Sequence, residues 1–341
     1  MFGNLFKQLE IAIDLGTANT VILINDQVVV NEPSIIAIDV RTKEMIAIGK
    51  EAQRMHGKTH EFIKTLRPLR NGVIADFKAA ETMIRAMIAK ARPKKLFNPA
   101  MRIVIGVPSG STEVERHAVM QSAEQAGARE IFLILEPMAA ALGIGLDIMA
   151  PKGNMVIDIG GGTTEIAVMS LGGIVANKSI TIAGDEFTED IRQYMRRQHN
   201  IHIFERTAEE IKIHVGAAVP ELEDAPAEYI VRGPHQMTAL PVEIAVSYKE
   251  IAQALDKSLS KIENAILNVL ESTPPELYSD IYENGIWLTG GGALLRGFDK
   301  RIENKTKIPV KIAKDPLNSV ARGTAIALKN YKEYPFLIKN S

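Results

Sequence analysis

A chain of 341 residues has room for about two domains at roughly 150 residues each. Hydrophobic residues make up 46% and charged residues 24%, the balance of a globular chain that can bury a sizeable core. Lys and Arg number 40 against 41 Asp and Glu, which argues against a bulk nucleic-acid binder, and the absence of cysteine excludes a disulfide scaffold, a thiolate metal site and a cysteine nucleophile. No run of about 18 apolar residues occurs, so no transmembrane helix is expected. The N-terminus lacks the long apolar core and cleavage site of a secretory signal, and a cytoplasmic location is expected.

The first strand signal is Ile11-Ala12-Ile13, followed by Asp14-Leu15-Gly16-Thr17-Ala18-Asn19-Thr20 and then Val21-Ile22-Leu23-Ile24. Two apolar runs around a Gly-containing turn predict a β-hairpin. Gln27 to Val30 and Ile35 to Ile38 read as the next strands, with a break at Pro33. Ala79 to Ala91 carries Met83, Met87 and Ile88 at helical spacing. Thr112-Glu113-Val114-Glu115 is a capping box that opens a helix running to Ala126, closed by Gly127. Ile131 to Leu135 is an apolar strand, ended by Glu136-Pro137.

The opening pattern then returns. Met155-Val156-Ile157 leads into Asp158-Ile159-Gly160-Gly161-Gly162-Thr163-Thr164, Glu165 to Met169, and a further strand over Gly172 to Ala176. Aligned without a gap, Asp14 matches Asp158, Gly16 matches Gly160 and Thr20 matches Thr164. The chain therefore reads as two related halves. Phe187 to His199, Thr207 to Ala218 and Tyr248 to Leu270 are predicted helices, the last stopped by Thr273-Pro274-Pro275. Pro220 to Pro226 is an acidic loop, and short strands follow to Val246. Alternation of strands and helices predicts an α/β protein.

The two turns have the chemistry of phosphate loops. Small residues let the backbone approach a polyphosphate, and successive N–H groups can donate to its oxygens. Gly160, Gly161 and Gly162 do so without side-chain obstruction, while Thr17, Asn19, Thr163 and Thr164 add side-chain donors. Asp14 and Asp158 stand at matching strand ends, and two carboxylates facing a polyphosphate call for a cation, commonly Mg²⁺ with several waters retained. A third cluster, Leu288-Thr289-Gly290-Gly291-Gly292-Ala293-Leu294, follows the strand Ile286-Trp287 and reads either as a tight turn before a helical stretch or as a platform for a nucleotide. No Lys follows the glycines in Walker A spacing, and no Gly-x-Gly-x-x-Gly opens the first helix. Glu136 has two readings as well, a helix N-terminal acid favoured by the dipole or a carboxylate that orients attacking water. His199 and His202 lack a third ligand at metal spacing, and Ser109 lacks the preceding glycine of a nucleophile elbow.

Together these segments resemble the actin-like ATPase superfamily, with phosphate motifs at Asp14 and Asp158, an adenosine motif at Leu288 to Leu294, and connecting helices at Glu136 to Ala141 and Val320 to Ala325. Asp14 to Thr20, Asn31-Glu32-Pro33-Ser34, Gly72 to Phe77, Asp158 to Glu165 and Thr273 to Leu277 are more closely similar to the MreB family, the actins of rod-shaped bacteria. That resemblance implies two lobes, each with a duplicated RNase H-like core and a small subdomain, and nucleotide in the central cleft. It implies a first-lobe core of residues 1–32, 67–140 and 316–341 with a small part at 33–66, and a second-lobe core of 141–182 and 246–315 with a small part at 183–245.

The same resemblance implies an ATP-hydrolysing filament protein under the cytoplasmic membrane. Such a protein organises lateral peptidoglycan synthesis with partners such as RodZ, MreC and MreD. In it Glu136 and Thr163 would position the hydrolytic water, and Asp14 and Asp158 would hold the Mg²⁺ environment. Gly16, Thr17, Ala18, Asn19 and Gly160 to Gly162 would cradle phosphate. Glu209 and Lys212 would contact ribose or adenine, and Gly290 to Ala293 would flank the nucleotide. Two positions depart from the family pattern: Arg322-Gly323, where a smaller or apolar residue is usual, and Asp26-Gln27, where the turn is usually Gly-rich. The rival expectation is a monomeric small-molecule kinase of the same fold, for which Gly184-Asp185-Glu186 is the only remotely suitable acid cluster, and that cluster better suits a helix start. A chaperone would need a peptide-binding domain, and none follows Ser341 in the sequence.

Met1, Phe2, Leu5, Phe6 and Leu9 fall on one face of a short helix, and Lys94-Lys95-Leu96-Phe97 sets basic residues beside an apolar tip. Each reads as packed or unstructured chain, or as a weak membrane anchor. A filament that repeats Phe2, Leu5, Phe6, Leu96 and Phe97 many times would add avidity.

Overall fold

The computed structural model describes residues 8–92 and 100–339. The proposed membrane residues Phe2, Leu5, Phe6, Leu96 and Phe97 lie outside this range. Leu9–Leu15, Asn19–Ile24 and Gln27–Pro33 form an antiparallel meander. Met101–Val107 and then Ala128–Leu135 extend it in parallel, and Ile338–Lys339 closes the edge. Ile11, Ile13 and Ile22 pack on one face with the helices Phe77–Ala91 and Glu113–Gln125. Ala12, Val21, Leu23 and Val104 pack on the other with Glu136–Gly143 and Ser319–Lys329. Burial on both faces is why these strands read as continuous apolar runs.

The second sheet repeats the plan. Asn154–Ile159, Thr164–Ser170 and Gly173–Ile180 form the meander, and Ile286–Thr289 and Val310–Ile312 add in parallel. The duplication inferred from Asp14 and Asp158 is therefore a duplication of sheet topology: each aspartate ends the central strand of its own sheet. Smaller units flank the sheets. Ile36–Asp39, Met45–Ile48 and Ile63–Leu66 form a three-stranded sheet beside the first, so the strand near Ile35 leaves the main sheet. Tyr229–Pro234 and Pro241–Val246 pair beside the second sheet.

Several boundaries differ from the sequence reading. The third strand continues past Val30 to Pro33, because a proline with no N–H is tolerated at the strand's last pair, opposite Asn19. The helix expected from Phe187 starts at Gly184, and the one expected from Thr207 spans Glu205–Val215. The stretch after the third glycine cluster is one 3₁₀ turn, Gly291–Leu294, and the helix waits until Phe298–Thr306. Pro275 stops one helix and also opens the next, Pro275–Asn284, since its missing N–H falls where no intrahelical partner exists. Asn25 and Asp26 both have positive φ, 52° and 62°, so this pair makes the turn between Asn19–Ile24 and Gln27–Pro33 without glycine.

The lobes join through Glu136–Gly143 and Ser319–Lys329, which cross between the sheets in one apolar cluster that also holds Val156, Ala167 and Met169 of the second sheet. The crossing is backbone on backbone. A Cβ on Gly323 would stand 1.6 Å from the Ala139 carbonyl oxygen, and one on Gly143 would stand 1.8 Å from that of Ser319. Arg322, the departure noted above, turns away from the crossing and donates to Asp315 at 3.0 Å. Gly323→Ala is expected to destabilise the chain by about 2 kcal/mol or more, since a closely packed seam accepts no extra carbon; an unchanged urea-denaturation midpoint would contradict the crossing.

Candidate functional site

The two meander turns meet across a cleft of about 1060 Å³. Asp14, Gly16, Thr17, Ala18, Asn19, Glu136, Asp158, Gly160, Gly161, Gly162, Thr163, Glu209, Lys212, Gly290, Gly291 and Gly292 all line it. Ala293 does not: it points into the second-lobe core. Thr164 is also withdrawn. Its hydroxyl is buried and donates to the Ile182 carbonyl at 2.6 Å, which pins the turn instead of offering a donor to a ligand. Thr20, its counterpart, is buried and shares a 2.9 Å hydrogen bond with Ser34, which in turn donates to the Gly16 carbonyl. The matched threonines therefore shape the two turns.

Glycine is required where the turns touch. A Cβ on Gly161 would lie 2.6 Å from that of Ala18, and one on Gly162 would lie 2.7 Å from the Thr17 hydroxyl oxygen. Gly290 has φ of 78° and passes under the Ile159 carbonyl, where a Cβ would approach to 2.3 Å. The Gly290 N–H donates to Pro316 at 3.0 Å, so the third glycine cluster is tied to the turn that precedes the Ser319 helix.

Glu209 and Lys212 pair at 2.6 Å on one helix face, as their spacing predicts. The ammonium of Lys212 also donates to the Gly184 carbonyl at 2.8 Å and the Thr188 hydroxyl at 3.0 Å. Beside them Ile213, Leu294 and Leu317 line the cleft and are each more than half exposed, an apolar slot that sequence reasoning missed. Leu294, in the third glycine cluster, and Ile213, next to Lys212, were the signals for it in the sequence. At the cleft mouth Arg67 spans from the first lobe to Asp185 at 3.4 Å and Glu205 at 3.0 Å. Asp185 opens the Gly184–Gln198 helix, and burial raises its carboxyl against the opposing pull of Arg67 and Lys212.

The floor of the cleft is acidic. Burial pushes Asp14 up to about 7. Asp158 rises to about 8, first through burial and then through the charges of Asp14 and Glu165. Glu136, at the first turn of its helix, is raised well above the ordinary carboxylate range by burial and by Glu165, Asp14 and Asp158. Among the described residues no Lys, Arg or His forms an ion pair with these three carboxyls. Such a set, facing backbone N–H groups, suits a cation that accompanies a polyphosphate. Among the described residues no three carboxylates or histidines converge closely enough to ligate a metal ion directly, so Asp14 and Asp158 fit a cation held through water. The sequence had suggested Asp14, Asp158 and Glu136; the buried Glu165 beneath them was missed.

Residues 8–335 match the family model described as MreB/Mbl protein. Cell shape-determining protein Mbl of Bacillus subtilis (strain 168) is 44% identical over 327 residues, covering 96% of this chain and 97% of that protein. Cell shape-determining protein MreB of Escherichia coli (strain K12) is 46% identical over 334 residues, covering 96% and 94%. The crystal structure of MreB5 of Spiroplasma citri bound to ADP superposes with a TM-score of 0.90 at 40% identity, covering 96% of this chain and 98% of that one. A MamK double helical filament shares the fold at a TM-score of 0.79 and 21% identity, over 96% of this chain and 100% of that one. Among the described residues no helix is long and apolar enough to cross a membrane.

The raised carboxyls make stability depend on pH. Unfolded, Asp158 releases its proton near 3.8, whereas folded it holds it to about 8. Between these values the folded chain binds the extra proton, so stability falls as pH rises through the window. Asp158→Asn should therefore stabilise the nucleotide-free chain at pH 8 by on the order of 5 kcal/mol and leave it nearly unchanged at pH 4. Calorimetric melting at both pH values checks this, and equal effects at the two would contradict an uncompensated Asp158.

Proposed function

The chain belongs to the MreB/Mbl family, and from that premise we propose that it binds and hydrolyses ATP with Mg²⁺ and assembles into filaments that guide lateral cell-wall synthesis. The observation that carries the catalytic part is the pair of abutting glycine turns over an acidic floor that no cationic side chain among the described residues pairs with. The bound nucleotide of the MreB5 structures, ADP in one and AMPPNP in another, supports the same reading.

In this reading the backbone N–H groups of Gly16 to Asn19 and Gly160 to Thr163 receive the phosphates. The adenine side lies against Ile213, Leu294 and Leu317, near Glu209, Lys212 and Gly290 to Gly292. Asp14 and Asp158 would hold Mg²⁺ through water, and the ion would supply positive charge to the phosphates and to the acidic floor, which favours the ionised form of Glu136. Glu136 and Thr163 orient the water that attacks the γ-phosphorus; as the new O–P bond forms and the bond to the β-phosphate oxygen breaks, the Glu136 carboxylate takes the water's proton and ADP leaves. Glu136 stands on a helix that joins the lobes, so loss of the γ-phosphate is felt at the seam and alters how the lobes sit.

A head-to-tail contact that does not close on itself extends into a filament, and we propose paired protofilaments. The filament would lie on the inner face of the cytoplasmic membrane through Phe2, Leu5, Phe6, Leu96 and Phe97 and meet elongation partners such as RodZ, MreC and MreD there. Sedimentation tests assembly: the chain should pellet with ATP and Mg²⁺ and stay in the supernatant without nucleotide. A chain that never pellets and instead phosphorylates a sugar would replace this reading with a kinase.

Glu136→Ala should still bind ATP while single-turnover phosphate release slows by about 100-fold or more. An unchanged rate would remove Glu136 from the reaction. Changing Phe2, Leu5, Phe6, Leu96 and Phe97 together to Ser should abolish flotation of ATP filaments with anionic vesicles, and persistent flotation would place the anchor elsewhere.

A further inference from the structure

At one buried pair the duplicated hairpins differ in charge. In the first, Asp14 stands opposite Val21; in the second, Asp158 stands opposite Glu165. Val21 is 5% exposed and belongs to the apolar core, whereas Glu165 is 1% exposed and carries a carboxylate. A buried carboxylate is unfavourable unless hydrogen bonds replace its water.

Glu165 obtains those bonds from neutral donors on two lobes. Within its own lobe Ser179, its partner on the adjacent strand, donates at 2.5 Å. From the opposite lobe Ser109 donates both its hydroxyl and its backbone N–H, the latter at 3.3 Å. Asn177 of the second lobe then donates to the Ser109 hydroxyl at 3.3 Å. Ser109 sits in the loop that follows Met101–Val107 and leads into the Thr112-capped helix. That loop is stiffened by Ser111, which donates to Pro108 at 2.7 Å and accepts from Arg116 at 3.0 Å. Both Ser109 donors belong to this one loop, so separating the lobes would strip them from Glu165 together.

We propose that Glu165 is a latch: a positioning residue that holds the Pro108–Ser111 loop against the second lobe when the cleft is closed and releases it when the lobes part. Glu165 is the neighbouring charge that acts most strongly on Glu136, so the latch lies directly behind the group proposed to orient water. It thereby couples lobe closure to nucleotide retention. The inference rests on the cleft being a nucleotide site.

Ser109→Ala and Ser179→Ala separate a latch from simple solvation of a buried acid. Each removes one hydroxyl from the same carboxylate, but only Ser109 crosses between lobes. Release of a fluorescent ATP analogue with Mg²⁺, followed by stopped flow on the full chain, should accelerate about tenfold in Ser109→Ala and stay within about twofold of the parent in Ser179→Ala. Equal acceleration, or none in either variant, overturns the latch. Hydrogen exchange on the nucleotide-free chain reads the contact separately: Ser109→Ala should speed exchange in residues 109–111 and along Gly173–Ile180, and unchanged exchange also overturns it. Failure of the parent chain to bind the analogue overturns the nucleotide reading alone.

Discussion

The structure depends on two helices whose backbones touch. Glu136–Gly143 and Ser319–Lys329 lie between the sheets, and each approaches the other through a glycine that leaves no room for a Cβ. Ala139, Ala140 and Ala141 continue the small-residue strip. This approach sets the distance between the sheets and hence between the turns that end their central strands. Glu136 begins one of these helices, and the turn that precedes the other receives the Gly290 N–H. The floor and the far wall of the cleft are thus carried by the elements that join the lobes.

Opposed forces act on that cleft. Arg67, Ser109 and the abutting glycine turns draw the lobes together. Asp14, Glu136, Asp158 and Glu165 gather like charges where they meet, and burial keeps the first three protonated to higher pH than usual. Carboxyls with pKa values raised in this way, gathered in a cleft, mark a candidate functional site.

Much of this was legible because the chain states it twice. Asp14 and Asp158, with their glycines and threonines in register, revealed the duplication, and the Thr112 capping box gave one helix boundary to the residue. What stayed hidden depends on partners remote in sequence. Thr164 resembles a ligand donor until its hydroxyl is seen to donate to the Ile182 carbonyl. Ala293 shares a motif with three cleft glycines but points the other way, because the 3₁₀ turn rotates successive residues by about a third of a circle. Met45–Ile48 and Ile63–Leu66 are four residues each and only partly buried, too short to show a period. Glu165 looks like a polar residue on an ordinary strand, and its meaning appears only with Ser109, 56 positions earlier.

The small-residue seam has a mechanical consequence. Helices that interlock through large side chains move in discrete jumps, since every knob must leave one hole and enter another. Helices that meet along alanine and glycine present a nearly smooth bearing and can slide or pivot by fractions of an ångström without repacking. The cleft mouth, where Arg67 reaches the second lobe, stands at the far end of the lever arm from that bearing. A slight rotation at the Ala139–Gly323 pivot is therefore magnified at the rim, which makes this crossing the gearing of the molecule as well as its joint.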